Sequence, residues 1–254
     1  MNNRTKNIGL KTMNYNTIFY EDCITNIPKR IPNESIDLVI ADPPFGINFD
    51  GKGAQYNRKS EFVVSGYTEI SSENYLEFSK SWLQVVYHSL KKTGSAYIIS
   101  GWTNLKDILI AIDDVGFITQ NHIIWKYQFG VFTKRKFVTS HYHILFLVKD
   151  PKKYYFNKVD HYPEDVWEIK REYLPKQKKN STKLPDKLVE KFLHFSSKPG
   201  DVVLDPFMGN GTTAVACINL KRNYLGFEIN SQAKTIIEKN ILAAQASNND
   251  RKIE

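Results

Sequence analysis

The sequence predicts an α/β fold, a mostly parallel sheet with helices on both faces. Three observations predict it. Strand-length apolar runs alternate with stretches of helical periodicity through much of the chain. The run ending before Asp42 is apolar at nearly every position, as strands covered on both faces are. That run and the one ending at Asp205 stop at turns rich in Pro or Gly. At 254 residues and 41% hydrophobic, the chain fits one large domain, or one domain with an inserted lobe.

Met1 to Lys11 is polar and lacks the apolar core of a signal peptide, so residues 1–13 are expected to be a disordered lead-in to one domain over 14–254. Asn16 to Tyr20 predicts a short strand, Asp22 to Pro28 a turn and brief helix, and Ser35 to Ala41 a buried strand. The two prolines of Asp42-Pro43-Pro44 forbid both continued pairing and immediate helix. Residues 46–70 are too long for a simple connection and carry Lys52, Tyr56, Arg58 and Tyr67. Ser72 is expected to cap a helix over Glu73 to Leu90, where Tyr75, Leu76, Phe78, Trp82, Leu83, Val86 and Leu90 recur at helical spacing. Gly94 ends that unit, and Ser95 to Ser100 is the next strand.

Thr103 or Asn104 is expected to cap a helix over Leu105 to Val115, which Gly116 stops. Phe117 to Trp125 and His143 to Val148 suit an antiparallel strand pair. Residues 150–181 are polar, basic and aromatic with little periodicity, and are expected to form a small lobe or arm. Pro185 opens a helix over Asp186 to Phe195. Asp201 to Asp205 predicts a strand, Thr212 to Leu220 a helix, Asn223 to Glu228 a strand and Ser231 to Ala244 a last helix.

Several function classes drop out on composition. No stretch approaches the roughly 18 apolar residues of a membrane span. Cys23 and Cys217 have no second Cys or His at metal-ligand spacing, so no metal site is expected. Both fit buried thiols in a reducing compartment, here the cytoplasm. The net charge of +8 is concentrated: Lys134 to Lys191 holds 15 Lys or Arg against 8 Asp or Glu. A basic stretch with interleaved aromatics suits a polyanion, most naturally nucleic acid.

Two segments carry chemistry. Asp205-Pro206-Phe207-Met208-Gly209-Asn210-Gly211-Thr212-Thr213 lies between a strand and a helix. Glycines there let backbone approach a ligand, and the helix offers free N–H groups. Neither the Gly-x-x-x-x-Gly-Lys loop nor the third glycine of the dinucleotide fingerprint is present. Glu228 follows Gly211 by 17 positions, where α/β cofactor domains place an acid for ribose hydroxyls.

Asp42-Pro43-Pro44-Phe45 ends the other strand. An exocyclic amine is a poor nucleophile because its lone pair is delocalised into the ring. The Asp42 carboxylate and the Pro43 carbonyl offer two acceptors for its hydrogens, with backbone stiffened by Pro44. Phe45 offers a stacking face for a base that has left its helix. His141 and His143 alternate on an apolar strand with no nucleophile beside them, and fit core or nucleic-acid-facing side chains.

With these motifs the chain resembles the amino-group DNA methyltransferases of the beta class, whose catalytic motif precedes the cofactor motif. The resemblance runs over most of residues 16–244. It implies a Rossmann-like S-adenosylmethionine-dependent methyltransferase fold, circularly permuted. It implies that Phe207, Gly209 and Gly211 line the cofactor's methionine part, that Asp42, Asp205 and Thr212 also belong to the cofactor site, that Glu228 holds its ribose and that Asp22 lies near its adenine. Thr182-Lys183-Leu184-Pro185 is similar to a family element at the cofactor, which adds Lys183. Catalysis falls to Asp42, Pro43, Pro44 and Phe45, with no cysteine nucleophile and no metal.

Within this class a leading Asp leans toward adenine N6. Phe49-Asp-Gly-Lys, Tyr56-Asn-Arg, Val63-Val64, Gly66-Tyr67, Glu69, Ser100-Gly-Trp-x-Asn and Thr182-Lys-Leu-Pro instead resemble the archaeal CTAG-specific N4-cytosine methylases. These segments are longer than one motif residue, and they favour cytosine N4. The partner expected is double-stranded DNA, held by Lys52, Tyr56, Arg58, Lys134, Arg135, Lys136, Arg171 and Lys176. A restriction–modification setting would add a cognate endonuclease, and a homodimer is open. The rivals are methylation of RNA or a protein amide, and a DNA-binding protein with an inactive cofactor pocket.

Overall fold

The computed structural model describes residues 13–45, 70–128, 130, 132–171 and 183–250. The lead-in through residue 12, nearly all of the 46–70 loop and residues 172–182 lie outside them. Among the described residues the strands are β1 (Thr17–Phe19), β2 (Ile36–Ala41), β3 (Leu90–Ser100), β4 (Ile118–Lys126), β5 (His141–Val148), β6 (Val166–Glu168), β7 (Val202–Asp205) and β8 (Asn223–Phe227). The helices are α1 (Cys23–Arg30), α2 (Tyr75–Ser89), α3 (Leu105–Val115), α4 (Asp186–Ser196), α5 (Thr212–Asn219) and α6 (Lys234–Asp250).

All eight strands join one sheet in the order β1-β8-β7-β2-β3-β5-β4-β6. The five strands from β1 to β3 are parallel neighbours, and β5 then runs antiparallel to both β3 and β4. The strand bearing Asp42 comes early in the chain and the strand bearing Asp205 late, yet β2 and β7 pair directly, Val39 opposite Leu204. This is the Rossmann-like arrangement expected, with its cofactor half displaced to the end of the chain.

Both faces are covered. On one face Val39, Ala41, Ala96 and Ile98 pack with Ile27 of α1, Trp82 and Val86 of α2 and Ile108 of α3. On the other, Leu38, Ile40, Tyr97 and Ile99 pack with Leu188 and Phe192 of α4, Ala214 and Cys217 of α5 and Ile237 of α6. Every β2 residue from Leu38 to Ala41 is fully buried, which is why its apolar run does not alternate.

Three local expectations change. Ser72 does not cap a helix: Ser72–Asn74 is a 3-10 turn and α2 begins at Tyr75 without a side-chain cap bond. Gly94 lies inside β3, whose pairing with β2 shifts register there. A Cβ on Gly94 would meet the Asp37 carbonyl at 2.7 Å, so glycine serves close approach rather than a stop. Residues 150–171 do not stand apart from the sheet. They run along it and add β6 beside β4, because Trp167 is buried against Phe192 and donates to the Glu164 carbonyl at 2.7 Å.

Candidate active site

The parallel strands β2 and β7 end side by side, and the crevice beyond such ends is where open α/β sheets hold ligands. Asp42, Pro43, Pro44 and Phe45 follow β2 directly. Asp42, Phe45, Ile99, Trp125, Tyr142, Arg171, Lys183 and Leu184 line one pocket. The rings of Phe45 and Tyr142 stand 5.5 Å apart, and Tyr142 stands 5.5 Å from Trp125. A carboxylate thus sits among aromatic walls.

Asp42 keeps some exposure, yet surrounding protein strips enough water to push its carboxyl up to about 7, and Asp205 adds to the rise. The positive charge of Arg171 works the other way. Asn104 is buried at the N-cap position of α3, but it makes no side-chain cap there. Its side-chain amide instead donates to the Phe45 carbonyl. Gly101 faces the Phe45 ring, where an added Cβ would lie 3.5 Å from Cδ2.

The second half of the site is the turn after β7. Asp205 is buried and turned inward: Oδ1 accepts from the Phe207 N–H at 2.9 Å and Oδ2 from the Thr213 hydroxyl at 2.6 Å. It shapes the turn, and burial pushes it, too, up to about 7. Gly209 and Gly211 take φ of 54° and 81°, a left-handed backbone that side chains disfavour. Gly211 is the N-cap of α5, with buried Thr212 following. Glu228 follows β8 and accepts from the Gly209 N–H at 2.8 Å and the Asn230 N–H at 2.7 Å. Burial raises its carboxyl as well.

Phe207 packs edge-on against Trp82 at 5.3 Å. Asp22 caps α1 by accepting from the Thr25 N–H at 2.8 Å, just past the β1 end that lies beside β8. Lys183 pairs with Asp186 at 2.9 Å and borders the Asp42 pocket. Cys23 and Cys217 are buried free thiols, and burial pushes Cys23 up to about 12, so neither is a ready nucleophile.

A family model described as DNA methylase matches residues 36–239, spanning both strand ends. The chain belongs to the N6/N4 DNA methylases. Among curated members, it is 33% identical over 254 residues to type II methyltransferase M.HinfI of Haemophilus influenzae, covering 92% of this chain and 70% of that one. It is 32% identical over 248 residues to DNA adenine methyltransferase YhdJ of Escherichia coli, covering 85% and 79%. Among solved structures, PvuII DNA methyltransferase, described as cytosine-N4-specific, superposes with a TM-score of 0.71 at 19% identity, covering 92% and 93%. A complex of M1.HpyAVI with S-adenosylmethionine superposes at 0.67 and 23% identity, covering 89% and 98%. S-adenosylmethionine is the methyl donor of this DNA methylase family.

The remaining expectations for this methylase concern DNA. Lys134, Arg135 and Lys136 are exposed between β4 and β5, beside Phe132 and Phe137, which are 78% and 99% exposed. That connection leaves the sheet at the same end as Asp42, since Lys126 pairs with His141 and Ser100 with His143. Arg171 is drawn into the Asp42 pocket. Lys52, Tyr56, Arg58 and Lys176 lie outside the described residues. His143 is buried beside His122, ring nitrogens 2.7 Å apart, and is held down to about 4 by burial and by His122 and His141.

Sequence reasoning gave Asn104, Thr213, Trp125 and Tyr142 no role in the site, although Asn104 closes the Ser100-Gly-Trp-x-Asn segment likened to the N4-cytosine methylases. Thr213 stood inside the quoted glycine motif. Trp125 and Tyr142 oppose each other across the β4–β5 ladder, a pairing visible only once the register is known.

Proposed function

We infer that this methylase transfers a methyl group to the exocyclic amine of a base flipped out of double-stranded DNA. The observation that carries the reading is adjacency: the Asp42-Pro43-Pro44-Phe45 corner and the Asp205–Gly211 turn end neighbouring strands. The residues fit the donor. Glu228 offers a carboxylate for ribose hydroxyls, Gly209 and Gly211 keep the turn free of side chains, Phe207 lies within that turn, and Asp22 follows β1, the strand beside β8. When bound, S-adenosylmethionine supplies an electrophilic methyl group.

The protein's own part is to make a weak nucleophile competent. Ionised Asp42 and the Pro43 carbonyl accept the two amine hydrogens and draw the nitrogen toward tetrahedral geometry. They also stabilise the positive charge that develops there. A carboxyl near 7 can hold the proton that the amine then sheds. Phe45, with Tyr142 across the pocket, gives the flipped base apolar faces. The exposure of Lys134, Arg135 and Lys136 at the same end of the sheet supports a phosphate-neutralising role for them.

Cytosine N4 is the first reading. What supports it is that two segments likened to the CTAG-specific N4 methylases lie at the Asp42 pocket: Asn104 donates to the Phe45 carbonyl, Gly101 faces the Phe45 ring, and Lys183 and Leu184 line the pocket. Adenine N6 is the second, favoured by Asp42 and by the E. coli relative described as an adenine methyltransferase. The kinship to type II methyltransferases supports a restriction–modification setting with a cognate endonuclease.

Mass spectrometry of nucleosides from DNA incubated with the protein and S-adenosylmethionine tests this. N4-methylcytosine is the expected product, with a CTAG duplex the first substrate to try. N6-methyladenine would overturn the base assignment alone. Methylated RNA with unmodified DNA would overturn the substrate class.

A further inference from the structure

We propose that Arg171 is a positioning residue of methyl transfer: held over Tyr127 and Tyr142, it fixes a positive charge beside Asp42 in the base pocket. This rests on the function inferred above for that pocket. A cation in this basic stretch would ordinarily be assigned to DNA phosphates. The geometry says otherwise.

The guanidinium carbon of Arg171 lies 5.3 Å from the Tyr127 ring centroid and 5.6 Å from that of Tyr142, both within cation–π range. Its backbone is pinned twice by one side chain. The Arg171 N–H donates to Gln128 Oε1 at 2.8 Å, and Gln128 Nε2 donates to the Arg171 carbonyl at 2.9 Å. Just upstream, the Ile169 N–H donates to the Lys126 carbonyl at 3.1 Å, continuing the β6 ladder. The strand edge therefore delivers this side chain to the pocket that Asp42 and Tyr142 share.

The charge is needed there. To hold two amine hydrogens together with the Pro43 carbonyl, Asp42 must be an acceptor, which means ionised. Burial and the neighbouring Asp205 both oppose ionisation, and Arg171 favours it. Lys183 also borders the pocket, but its ammonium is paired with Asp186. A planar guanidinium stacked on two rings keeps a fixed position, whereas a phosphate-binding cation would need to reach outward.

The test compares wild type with Arg171→Gln and Arg171→Lys in single-turnover methyl transfer to duplex DNA across pH and salt. Alongside it, the Asp42 carboxyl is titrated by carbon-13 NMR in the DNA-free protein. For R171Q the expected result is an acid limb of the rate raised by roughly one unit or more, and a rate at pH 7 lowered about fivefold or more. The carboxyl titration should rise in parallel, with the salt dependence of DNA binding unchanged. R171K keeps a charge but loses the planar group held over the two rings, so it should shift both titrations in the same direction as R171Q and by less.

An R171Q variant with normal pH profile but weaker DNA binding and a salt slope reduced by about one would make Arg171 a phosphate contact and overturn the proposal. So would an unshifted Asp42 titration. Should R171Q fail to bind S-adenosylmethionine, R171K decides, and an unshifted Asp42 titration with weaker DNA binding there overturns the proposal. Should wild type modify no DNA, the functional inference fails by itself, and the carboxyl titration still judges Arg171.

Discussion

Asp42 and Asp205 end neighbouring parallel strands, and burial pushes both carboxyls up to about 7. They differ in what they face. Asp205 spends both oxygens on its own turn, through Phe207 and Thr213. Asp42 opens into an aromatic pocket. One carboxylate shapes the glycine turn, and the other faces the pocket proposed to receive the base.

Asp42→Asn keeps the shape but replaces an acceptor with an amide that also donates. Methyl transfer should fall by roughly 10²- to 10³-fold, the usual cost of one transition-state contact. Affinity for S-adenosylmethionine should hold, as calorimetry would check. A near wild-type rate would sink the catalytic assignment.

The same substitution should raise stability at neutral pH. A folded-state value of about 7 for Asp42 lies above its ordinary 3.8, so the folded protein binds that proton more tightly than the unfolded chain. That contribution is complete below about pH 4 and is lost as pH rises through 7. Asp42→Asn should therefore gain on wild type in Tm between pH 4 and 8, measured without ligand. His143 behaves oppositely. Held down to about 4 from 6.5, it stays neutral in the fold, and stability is lost as pH falls from 6.5 to 4. His143→Gln should gain on wild type over that lower window.

Glu228 is bonded to the Gly209 and Asn230 N–H groups before any ligand arrives, which fixes its direction. Glu228→Gln should weaken S-adenosylmethionine binding roughly tenfold or more, since hydrogen bonds to a charged group contribute about 1.5–3 kcal/mol. DNA binding at saturating salt-matched conditions should be unaffected. Equal cofactor affinity in the variant would remove Glu228 from the site.

Asn104→Ala deletes the donor to the Phe45 carbonyl inside a buried corner. Leaving such a group unpaired costs about 1–3 kcal/mol, and the Asp42–Phe45 corner is expected to loosen. The prediction is a several-fold fall in the methylation rate at unchanged cofactor affinity. Asn104→Asp, which cannot donate, should do no better.

Gly211→Ala places a Cβ at φ 81°, 3.2 Å from Ile237 Cγ2. The left-handed penalty is about 1–2 kcal/mol, and the crowded Ile237 adds to it. Tm should drop, and the cofactor should bind less tightly if the same turn receives it as proposed. An unchanged Tm would mean that the backbone relaxes to another conformation.

The sequence by itself determined what depends on local rules. The buried run into Asp42-Pro43-Pro44, the glycine turn after β7 and the stop at Gly116, which is left-handed in the structure, all follow from backbone sterics and consecutive apolar positions. Spacing singled out Glu228, and in the structure it does bond to the glycine turn, through the Gly209 N–H. Only the tertiary structure decided what depends on pairing across the sheet. Tyr142 meets Phe45 and Trp125 because β5 runs antiparallel to β3 and β4 in one register. Asn104, a capping residue by sequence, gives its amide to Phe45 because α3 starts against the β2 corner. Arg171, one cation among many in the basic stretch, reaches Asp42 because burial of Trp167 draws residues 166–168 onto the sheet edge. Local propensity fixes where a strand ends, but the neighbours of that end are set by long-range packing, which no window of sequence contains.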